Sequence, residues 1–154
     1  MRRADKEIHD KTIISEILNH ARICHIALHD EPFPYLLTVN FGYRDGCLFF
    51  HSAPEGKKID LIRRNPRVCV QVMTDIRMTT GDDPCNDWTM KYKSITGYGK
   101  AEIITDTAEK IDGLNVLMNH YSAKGPFTFS DKGLAESAVI RIRIESMTAK
   151  GSAG

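Results

Sequence analysis

The chain has 154 residues and a formal net charge of +1, with 42% hydrophobic and 27% charged residues. A chain of this length buries roughly 70% of the surface that its unfolded form exposes, so we expect residues 1–154 to form a single domain without stabilising metals or disulfides. The near-neutral charge excludes a broad basic surface for nucleic acid, and the composition indicates no membrane partner.

A helix is the first predicted element, and strands follow it. Asp10 is a good N-cap, and the apolar residues after it are spaced as on one helical face. They are Ile13, Ile14, Ile17, Leu18 and Ala21. Strands are predicted at residues 22–28 and 35–43, and Asp45-Gly46 predicts a hairpin because this pair tolerates the positive φ of a tight turn.

The middle of the chain continues with short elements. A returning strand is predicted at residues 47–51, followed by a helix at 52–64 and a strand at 67–74. Asn65-Pro66 ends the helix, since the residue before a proline is disfavoured in the helical conformation.

Longer elements are predicted in the second half. Residues 75–86 are polar and indicate a loop, and a long strand at 90–104 follows. This strand contains Gly97 and Gly99, and glycine within a strand marks a bend, a bulge or a close backbone approach.

The last predicted elements are a helix and a strand. Asp106 and Glu109 have the spacing of a capping box, which predicts a helix start. Residues 122–136 indicate a second loop. From Ile140 onward apolar and polar residues alternate, which predicts a strand with one buried face, and the tail at 150–154 is expected to fray.

Together these elements predict a mainly β fold with flanking helices, with about six antiparallel strands and three helices. Most connections between strands are short hairpins, which favours antiparallel pairing. Two long glycine-bearing strands in a small chain indicate a closed or split barrel. A parallel doubly wound sheet would need a helix after nearly every strand, and those helices are missing from the pattern.

One segment combines the features of a phosphate site. A predicted strand ends at His51, and Ser52 and Glu55 have capping-box spacing at the start of the next helix. A helix N-terminus offers free N–H donors and partial positive charge, to which Lys57 and Lys58 add two full charges. The segment predicts a cradle for a phosphate monoester, and the alternative is an ordinary capped helix with solvated lysines. His51 is a candidate proton donor, an orienting group or a polar residue without either role.

Two other segments are candidates for contacts with a ring system. Trp88, Tyr92 and Ser94 combine aromatic and hydroxyl groups, a pattern that is also typical of a subunit-interface strand. Thr38 and Asn40 share one face of an apolar strand, so we expect their polar groups to face inward and to need partners. A ligand with hydrogen-bonding edges, ordered water or a neighbouring loop would supply these partners.

Several other chemistries receive no support. The sequence has no H-E-x-x-H, Walker A, G-x-G-x-x-G or G-x-S-x-G motif. Cys24 and His25 are adjacent, so on a strand they face opposite sides and cannot share a metal. We therefore predict no metal site, while a haem ligand from one of the histidines stays open.

The N-terminal segment and the cysteines indicate the compartment. The segment is charged and precedes no apolar run, which argues against a signal peptide, and no run approaches the ~20 residues of a membrane-spanning helix. The sequence contains no C-x-x-C pair. We therefore expect a cytoplasmic protein with reduced thiols. The cysteines are Cys24, Cys47, Cys69 and Cys85.

Three motifs in order resemble a known family. They are Asn40-Phe41-Gly42-Tyr43, then Phe50-His51-Ser52-Ala53 with Glu55-Gly56-Lys57-Lys58, then Lys91-Tyr92-x-Ser94-Ile95-x-Gly97-x-Gly99. The ordered set resembles the 5-nitroimidazole resistance (Nim) branch of the pyridoxamine 5′-phosphate oxidase-like superfamily. The resemblance extends over residues 5–147.

This resemblance implies an FMN-binding split β-barrel that forms a homodimer, with each flavin site built from both subunits at the interface. One subunit is implied to hold the flavin phosphate, the ribityl chain and the ring edge, through Thr38, Val39, Asn40, His51, Ser52, Lys57 and Lys58. The strand that reaches across from the other subunit is implied to contribute Trp88, Tyr92 and Ser94. In related oxidases a basic pair at the position of Lys57-Lys58 binds the phosphate.

The implied activity is that of a flavoprotein oxidoreductase. It would reduce small nitro-aromatic or related acceptors with electrons from a nicotinamide donor, with His51 as the implied catalytic residue. The alternative is a non-catalytic protein that binds or senses flavin or haem, with His51 or His25 as the haem ligand.

Two departures from the resemblance affect these expectations. The chain lacks the closing Arg-x-x-Pro…Trp segment of true pyridoxine-phosphate oxidases, so oxidation of pyridoxine phosphate is not expected. Gly56-Lys57-Lys58 replaces their serine-arginine-lysine loop, and lysine is a point charge where arginine is a bidentate fork. The phosphate is therefore expected to be held less tightly, and a dinucleotide flavin fits if the phosphate end of the site is open. FAD is the alternative cofactor to FMN.

Overall fold

The computed structural model describes residues 4–151, which begin with a 3₁₀ turn at Ala4–Lys6. The strands of this part are β1 (Glu7–Ile8), β2 (Cys24–Leu28), β3 (Tyr35–Val39), β4 (Gly42–Arg44), β5 (Cys47–Ser52), β6 (Arg67–Thr79), β7 (Thr89–Ile104) and β8 (Ala138–Gly151). Its helices are α1 (Lys11–His20), α2 (Lys57–Arg64), α3 (Pro84–Asp87), α4 (Thr107–Tyr121) and α5 (Asp131–Ala135). The predicted mainly β class is confirmed, with more short elements than expected.

The strands form one antiparallel sheet in the order β3-β2-β6-β7-β8-β5-β4, and β1 pairs with β8. The long strands β7 and β8 lie at the centre and pair along most of their length. Between them the register shifts at Gly99, where an added Cβ would overlap the carbonyl oxygen of Arg143. The close backbone approach predicted for a strand glycine is confirmed there. The architecture is that of a split barrel.

The inner face of this sheet carries the main hydrophobic core. Alternate residues of β6 and β8 face it, including the buried Val70 and Ile142, and α1 and α2 cover it. A second cluster lies beneath α4 around Phe49, Leu117 and Val139. Burying each large apolar side chain stabilises the fold by roughly 1.5–3 kcal/mol, so this alternation fixes which face of each strand points outward.

The predicted caps of α1 and α4 and the predicted hairpin turn are confirmed. The Asp10 carboxylate accepts a first-turn N–H of α1 at 2.7 Å, and the Asp106 carboxylate accepts the N–H of Glu109 at 2.9 Å in α4. Asp45 and Gly46 adopt φ angles of 51° and 76° between β4 and β5. Each of these features depends only on neighbouring residues.

The strand predicted at residues 35–43 is broken into β3 and β4. Phe41 lies in the break with its side chain fully buried, and its N–H donates to the Tyr121 hydroxyl of α4 at 2.9 Å. The same hydroxyl donates to the carbonyl of Arg22 at 2.7 Å. The Tyr121 hydroxyl of α4 therefore replaces the strand carbonyl that the N–H of Phe41 would bond to in a continuous strand.

The loop predicted at residues 75–86 is mostly ordered. Strand β6 continues to Thr79, which pairs with Thr89 of β7 beyond a register shift, and α3 closes the hairpin. In the shift Asp75 adopts φ 54° and its carboxylate lies 3.0 Å from the Lys93 ammonium. Residues 75–91 thus project from the sheet as a hairpin, the β6–β7 arm.

Two further expectations are corrected near the C-terminus. The loop predicted at residues 122–136 contains α5, whose N-cap Ser130 accepts the N–H of Gly133 at 3.1 Å. The tail was expected to fray from residue 150, but Lys150 pairs with Glu7 of β1, which holds the end of β8 in the sheet. The remainder of that expectation, at 152–154, lies outside the described residues.

No helix among residues 4–151 is long and apolar enough to cross a bilayer. Cys24, Cys47 and Cys69 lie in strands as predicted, while Cys85 is exposed on α3. Burial raises the pKa of the Cys24 thiol to about 12.

Candidate functional site

The segment after β5 differs from its prediction. Ser52 pairs with Ala138 of β8, so it stays in the strand and does not cap a helix. The N-cap of α2 is Gly56, which makes no side-chain capping bond, and the capping box of Ser52 and Glu55 is therefore wrong. Gly56 adopts φ 111° and ψ 172°, a conformation that is essentially restricted to glycine.

The start of α2 consequently has no side-chain cap. The N–H groups of Ile59 and Asp60 both bond to the Gly56 carbonyl, at 2.9 and 3.2 Å. The preceding N–H groups, those of Lys57 and Lys58, are among the donors that no helical carbonyl can reach. This end of α2 therefore presents donors and partial positive charge, as the phosphate prediction requires.

Lys57 is the most constrained of the predicted residues. Its ammonium lies 2.8 Å from Asp30, which follows β2, and 5.1 Å from the centre of the Tyr35 ring at the start of β3. The Arg64 guanidinium reaches the other oxygen of Asp30 at 3.0 Å. These cations, with Lys57 first, lower the pKa of the Asp30 carboxyl. The Asp30 carboxylate thus anchors both ends of α2 to the turn between β2 and β3.

The other predicted residues of this segment differ in exposure. Lys58 is half-buried, and His51 is exposed beside Val139 of β8. Ser52 is 8% exposed, and within residues 4–151 its hydroxyl has no hydrogen-bond partner. A buried hydroxyl without a partner costs about 1–3 kcal/mol, so it points to a missing ligand or water.

The orientation predicted for β3 is wrong. Thr38 and Asn40 are exposed and lie on the face turned away from the core, while Val39 is half-buried against it. Tyr35 and Leu37 take the inward positions, because the alternation of a strand leaves only one residue in two for the core. The polar pair therefore faces outward, and β3 is an edge strand with unpaired backbone groups along its free side.

The second predicted set lies along the arm and the start of β7. Trp88 is 54% exposed, and its indole N–H donates to the Gly81 carbonyl at 3.2 Å. The Lys150 ammonium lies 5.8 Å from the centre of the Tyr92 ring. Ser94 is 1% exposed, and its hydroxyl has no partner among the described residues. Ser52 and Ser94 are the two buried, unpartnered side chains in residues 4–151.

The two sets lie toward opposite ends of the sheet. Ser52 is opposite Ala138 of β8, whereas Ser94 is opposite Lys150 of the same strand. These positions are 12 residues apart, which is roughly 40 Å of strand path at the usual rise. In one chain, Ser52 and Lys57 therefore belong to the segment that joins β5 to α2, with Lys57 against the start of β3, while Ser94 lies next to the arm.

A row of polar residues on the outer face of the sheet was missed by sequence reasoning. Thr38, His25, Gln71 and Thr96 are successive partners across β3, β2, β6 and β7. The alternation of β2 and β6 is the signal for it, since each residue follows or precedes a buried one. Asp30 was also missed, because its partners lie 27 and 34 residues further along the chain.

The β6–β7 arm carries exposed apolar side chains on one face. Met78 and Met90 are opposite each other, with exposures of 55% and 44%. Ile76 lies two residues before Met78 in β6, Trp88 lies two residues before Met90 just ahead of β7, and both are also exposed. Clusters of large exposed apolar residues mark interaction surfaces in soluble proteins.

Comparison with known proteins identifies similar sequences and structures. Residues 10–151 match the family model described as pyridoxamine 5′-phosphate oxidase. A candidate 5-nitroimidazole antibiotic resistance protein from Bacteroides thetaiotaomicron is 33% identical, with a TM-score of 0.83 over 94% of this chain and 86% of that one. No curated protein gives a significant match.

Two other solved structures are similar. A FAD-binding protein from Mesorhizobium loti is 26% identical over 94% of this chain and 96% of its own, with a TM-score of 0.66. A FAD and haem binding protein from Mycobacterium smegmatis has a TM-score of 0.84 over 97% of this chain and 74% of its own. Its identity is 19%, so it supports the fold alone.

Proposed function

This chain belongs to the pyridoxamine 5′-phosphate oxidase family, and from that premise we propose that it is a flavin-binding oxidoreductase of small nitro-aromatic or related acceptors. The observation that carries the proposal is the pair of buried, unpartnered hydroxyls of Ser52 and Ser94. Each belongs to one of the two segments that the family resemblance assigns to the flavin. A ligand that accepts hydrogen bonds at both positions would remove the cost of leaving them unpaired.

The phosphate end of the flavin is proposed to lie at the start of α2. Three features favour a phosphate there: the open N–H groups of the helix, the cations of Lys57 and Lys58, and the nearby Ser52 hydroxyl. A phosphate at a helix N-terminus accepts hydrogen bonds from these N–H groups and is stabilised by the helix dipole. We propose FMN as the cofactor, with FAD as the alternative.

The ring of the flavin is proposed to lie along β3. Lys57 contacts Tyr35 at the first position of this strand, so a molecule held there by its phosphate extends toward Thr38, Val39 and Asn40. The free edge of β3 offers backbone donors and acceptors, and Thr38 and Asn40 add exposed polar side chains. Such groups suit the polar edge of a planar ring.

A second copy of the chain is proposed to complete each site. Ser52 is paired with one end of β8 and Ser94 with the other end, so one copy does not bring the two serines to a single ligand. The exposed apolar face of the arm supplies a surface for association. In the homodimer, Trp88, Tyr92 and Ser94 of one subunit would cover the flavin that Lys57 of the other subunit holds.

The protein's contribution to the reaction is binding and orientation. A bound flavin supplies the electron-transfer chemistry itself, and the protein sets its position and surroundings. Lys57 and Lys58 hold the phosphate, and the arm of the second copy excludes water from the ring. His51 is exposed at the end of β5 and is proposed to hold the proton that a reduced acceptor takes up.

The test of this proposal is direct. The purified protein is expected to be yellow, to release FMN or FAD on denaturation, and to lose its flavin absorbance when a nicotinamide donor is added under argon. Re-oxidation by a nitro-aromatic acceptor would complete the cycle. A colourless protein that does not bind added flavin would contradict the proposal, and a flavin that no donor reduces would leave a binding protein without this activity.

A further inference from the structure

We propose that the polar row of Thr38, His25, Gln71 and Thr96 binds the acceptor, and that the acceptor is a small, planar, uncharged aromatic molecule with hydrogen-bonding substituents. The assignment of this ligand as the acceptor rests on the proposed function. The row crosses four neighbouring strands at one level of the sheet, so it is roughly 14 Å long at the usual strand spacing.

In the described part of the chain, the side chains of the row lack partners. His25, Gln71 and Thr96 are half-buried, and within residues 4–151 none of the four makes a hydrogen bond or ion pair through its side chain. Polar side chains that have lost part of their water normally find a partner. Four of them at one level offer hydroxyl, imidazole, amide and hydroxyl groups about 5 Å apart.

An open cavity of about 290 Å³ lies over three residues of this row, His25, Gln71 and Thr96, and Thr38 lies at its end outside the lining. Its apolar lining includes Ala27, Leu36 and Cys69, and its polar lining includes His25 and Gln71. A cavity of this size lies just below the usual range of about 300–1,000 Å³ for small-molecule sites, so it suits a single small ring. The flat surface of a sheet fits a planar ring, which the apolar walls would contact at its faces and edges.

The lining also favours an uncharged ligand. The residues around the cavity contribute no carboxylate, ammonium or guanidinium group. An ionised ligand would lose hydration there without gaining a counter-charge, whereas a neutral ring with an amide or nitro group loses little. This difference predicts a preference that one pair of ligands can measure.

The cavity lies next to the proposed position of the flavin ring. Thr38 ends the row on β3, next to Val39 and Asn40, where the ring of the flavin is proposed to lie. An aromatic molecule over His25 would therefore lie beside that ring, at the neighbouring strand. His25, Gln71 and Thr96 become positioning residues for the acceptor, with no role in holding the flavin.

The experiment measures binding separately from turnover. The flavin-loaded, oxidised protein is titrated without a donor by ligand-observed NMR, using neutral 4-nitrobenzamide and charged 4-nitrobenzoate as the two probes. The benzamide is expected to bind more tightly. Gln71→Met and His25→Leu should each weaken it about fivefold, the effect of one lost hydrogen bond, while FMN affinity stays unchanged. Thr148→Val, next in the row on β8 but outside the cavity, is the matched control.

Distinct results would overturn this inference. Equal binding of both probes, no binding to the wild-type protein, or unchanged affinity in both variants would each contradict it. A change in sedimentation of Gln71→Met or His25→Leu would show that the row contacts another subunit and would also contradict it. Failure of the proposed function looks different, since a protein that binds no flavin would still bind 4-nitrobenzamide in a Gln71-dependent way.

Discussion

The Lys57 ammonium lies 2.8 Å from the Asp30 carboxylate, although Lys57 is also the first helical residue at the proposed phosphate site. A carboxylate in this position competes with a phosphate for the same cation. Arg64 binds the second oxygen of Asp30 at 3.0 Å and remains its partner when Lys57 turns to another anion. We therefore expect the charge of Asp30 to control how strongly Lys57 attracts a phosphate.

Replacement of the competing carboxylate is the first prediction. Asp30→Asn should raise FMN affinity severalfold, because Lys57 no longer has an anion beside it, and leave riboflavin affinity unchanged, since riboflavin has no phosphate. Fluorescence titration with both flavins measures the two constants. Glu16→Gln, an exposed residue of α1, is the control. Equal changes for FMN and riboflavin would show that Asp30 does not act through the phosphate.

The same carboxylate predicts a pH dependence of stability. Lys57, followed by Arg64, lowers the pKa of Asp30 from its ordinary value of 3.8. A lowered pKa in the folded state stabilises the protein above 3.8, and this contribution is lost as the pH falls through the lowered pKa. Urea unfolding across the acid range should show a shallower loss of stability for Asp30→Asn than for the wild-type protein. Parallel curves would contradict the ion pairs.

The backbone at Gly56 gives a prediction for the helix start. Gly56→Ala should destabilise the protein by about 1–3 kcal/mol, because φ 111° with ψ 172° is strained for any residue with a Cβ. Glu55→Ala should change stability by less than about 0.5 kcal/mol, since Glu55 is exposed and forms no capping box. Thermal unfolding of both variants measures this difference. A larger loss of stability for Glu55→Ala would support the capping box and contradict the uncapped helix start.

Tyr121 joins α4 to the break between β3 and β4. Tyr121→Phe should cost about 1–3 kcal/mol, because it leaves the N–H of Phe41 without an acceptor beside a fully buried side chain. Tyr98→Phe is the control, since Tyr98 is 56% exposed. Chemical unfolding of both variants gives the comparison, and equal stabilities would exclude this hydrogen bond as a support of β3.

The cysteines should differ in reactivity. Burial raises the pKa of Cys24 to about 12, so this thiol stays protonated and protected at mildly alkaline pH, whereas Cys85 is exposed on α3. Mass spectrometry after brief treatment with iodoacetamide should find Cys85 modified first and Cys24 last. Early modification of Cys24 would mean that β2 opens readily.

The sequence predicts most of the features that depend on neighbouring residues. The caps of Asp10 and Asp106 and the Asp45-Gly46 turn need only residues one to three positions away, and all are present. Ser52 and Glu55 have a similar local pattern and still fail as a capping box. There the ladder between β5 and β8 holds Ser52 in a strand, and that pairing depends on residues far along the chain.

Long-range contacts explain the other differences. The outward face of Thr38 follows from which neighbours fill the core, and the extension of β6 to Thr79 follows from its pairing with Thr89. The partner of Phe41 is 80 residues away, and that of Lys57 is 27 residues away. No local pattern contains such pairs, so the sequence names candidate residues but does not give these contacts between distant parts of the chain.

The central claim is that each flavin site is shared between two copies of the chain, and subunit complementation tests it most directly. Lys57→Ala with Lys58→Ala damages one half of the site, and Trp88→Ala with Ser94→Ala damages the other. Charge-assisted hydrogen bonds contribute about 1.5–3 kcal/mol each, so the homodimer without the two lysines should bind FMN at least tenfold more weakly. The other homodimer loses the Trp88 ring contact and a neutral hydrogen bond of about 0.5–1.5 kcal/mol, so it should bind FMN severalfold more weakly.

The two variants are co-expressed with different tags, and the mixed dimer is purified through both. A shared site predicts one FMN bound with wild-type affinity per two chains, because one of the two sites then contains only unmodified residues. Failure of the mixed dimer to bind FMN more tightly than its parents, or failure of the two chains to associate, would contradict the claim.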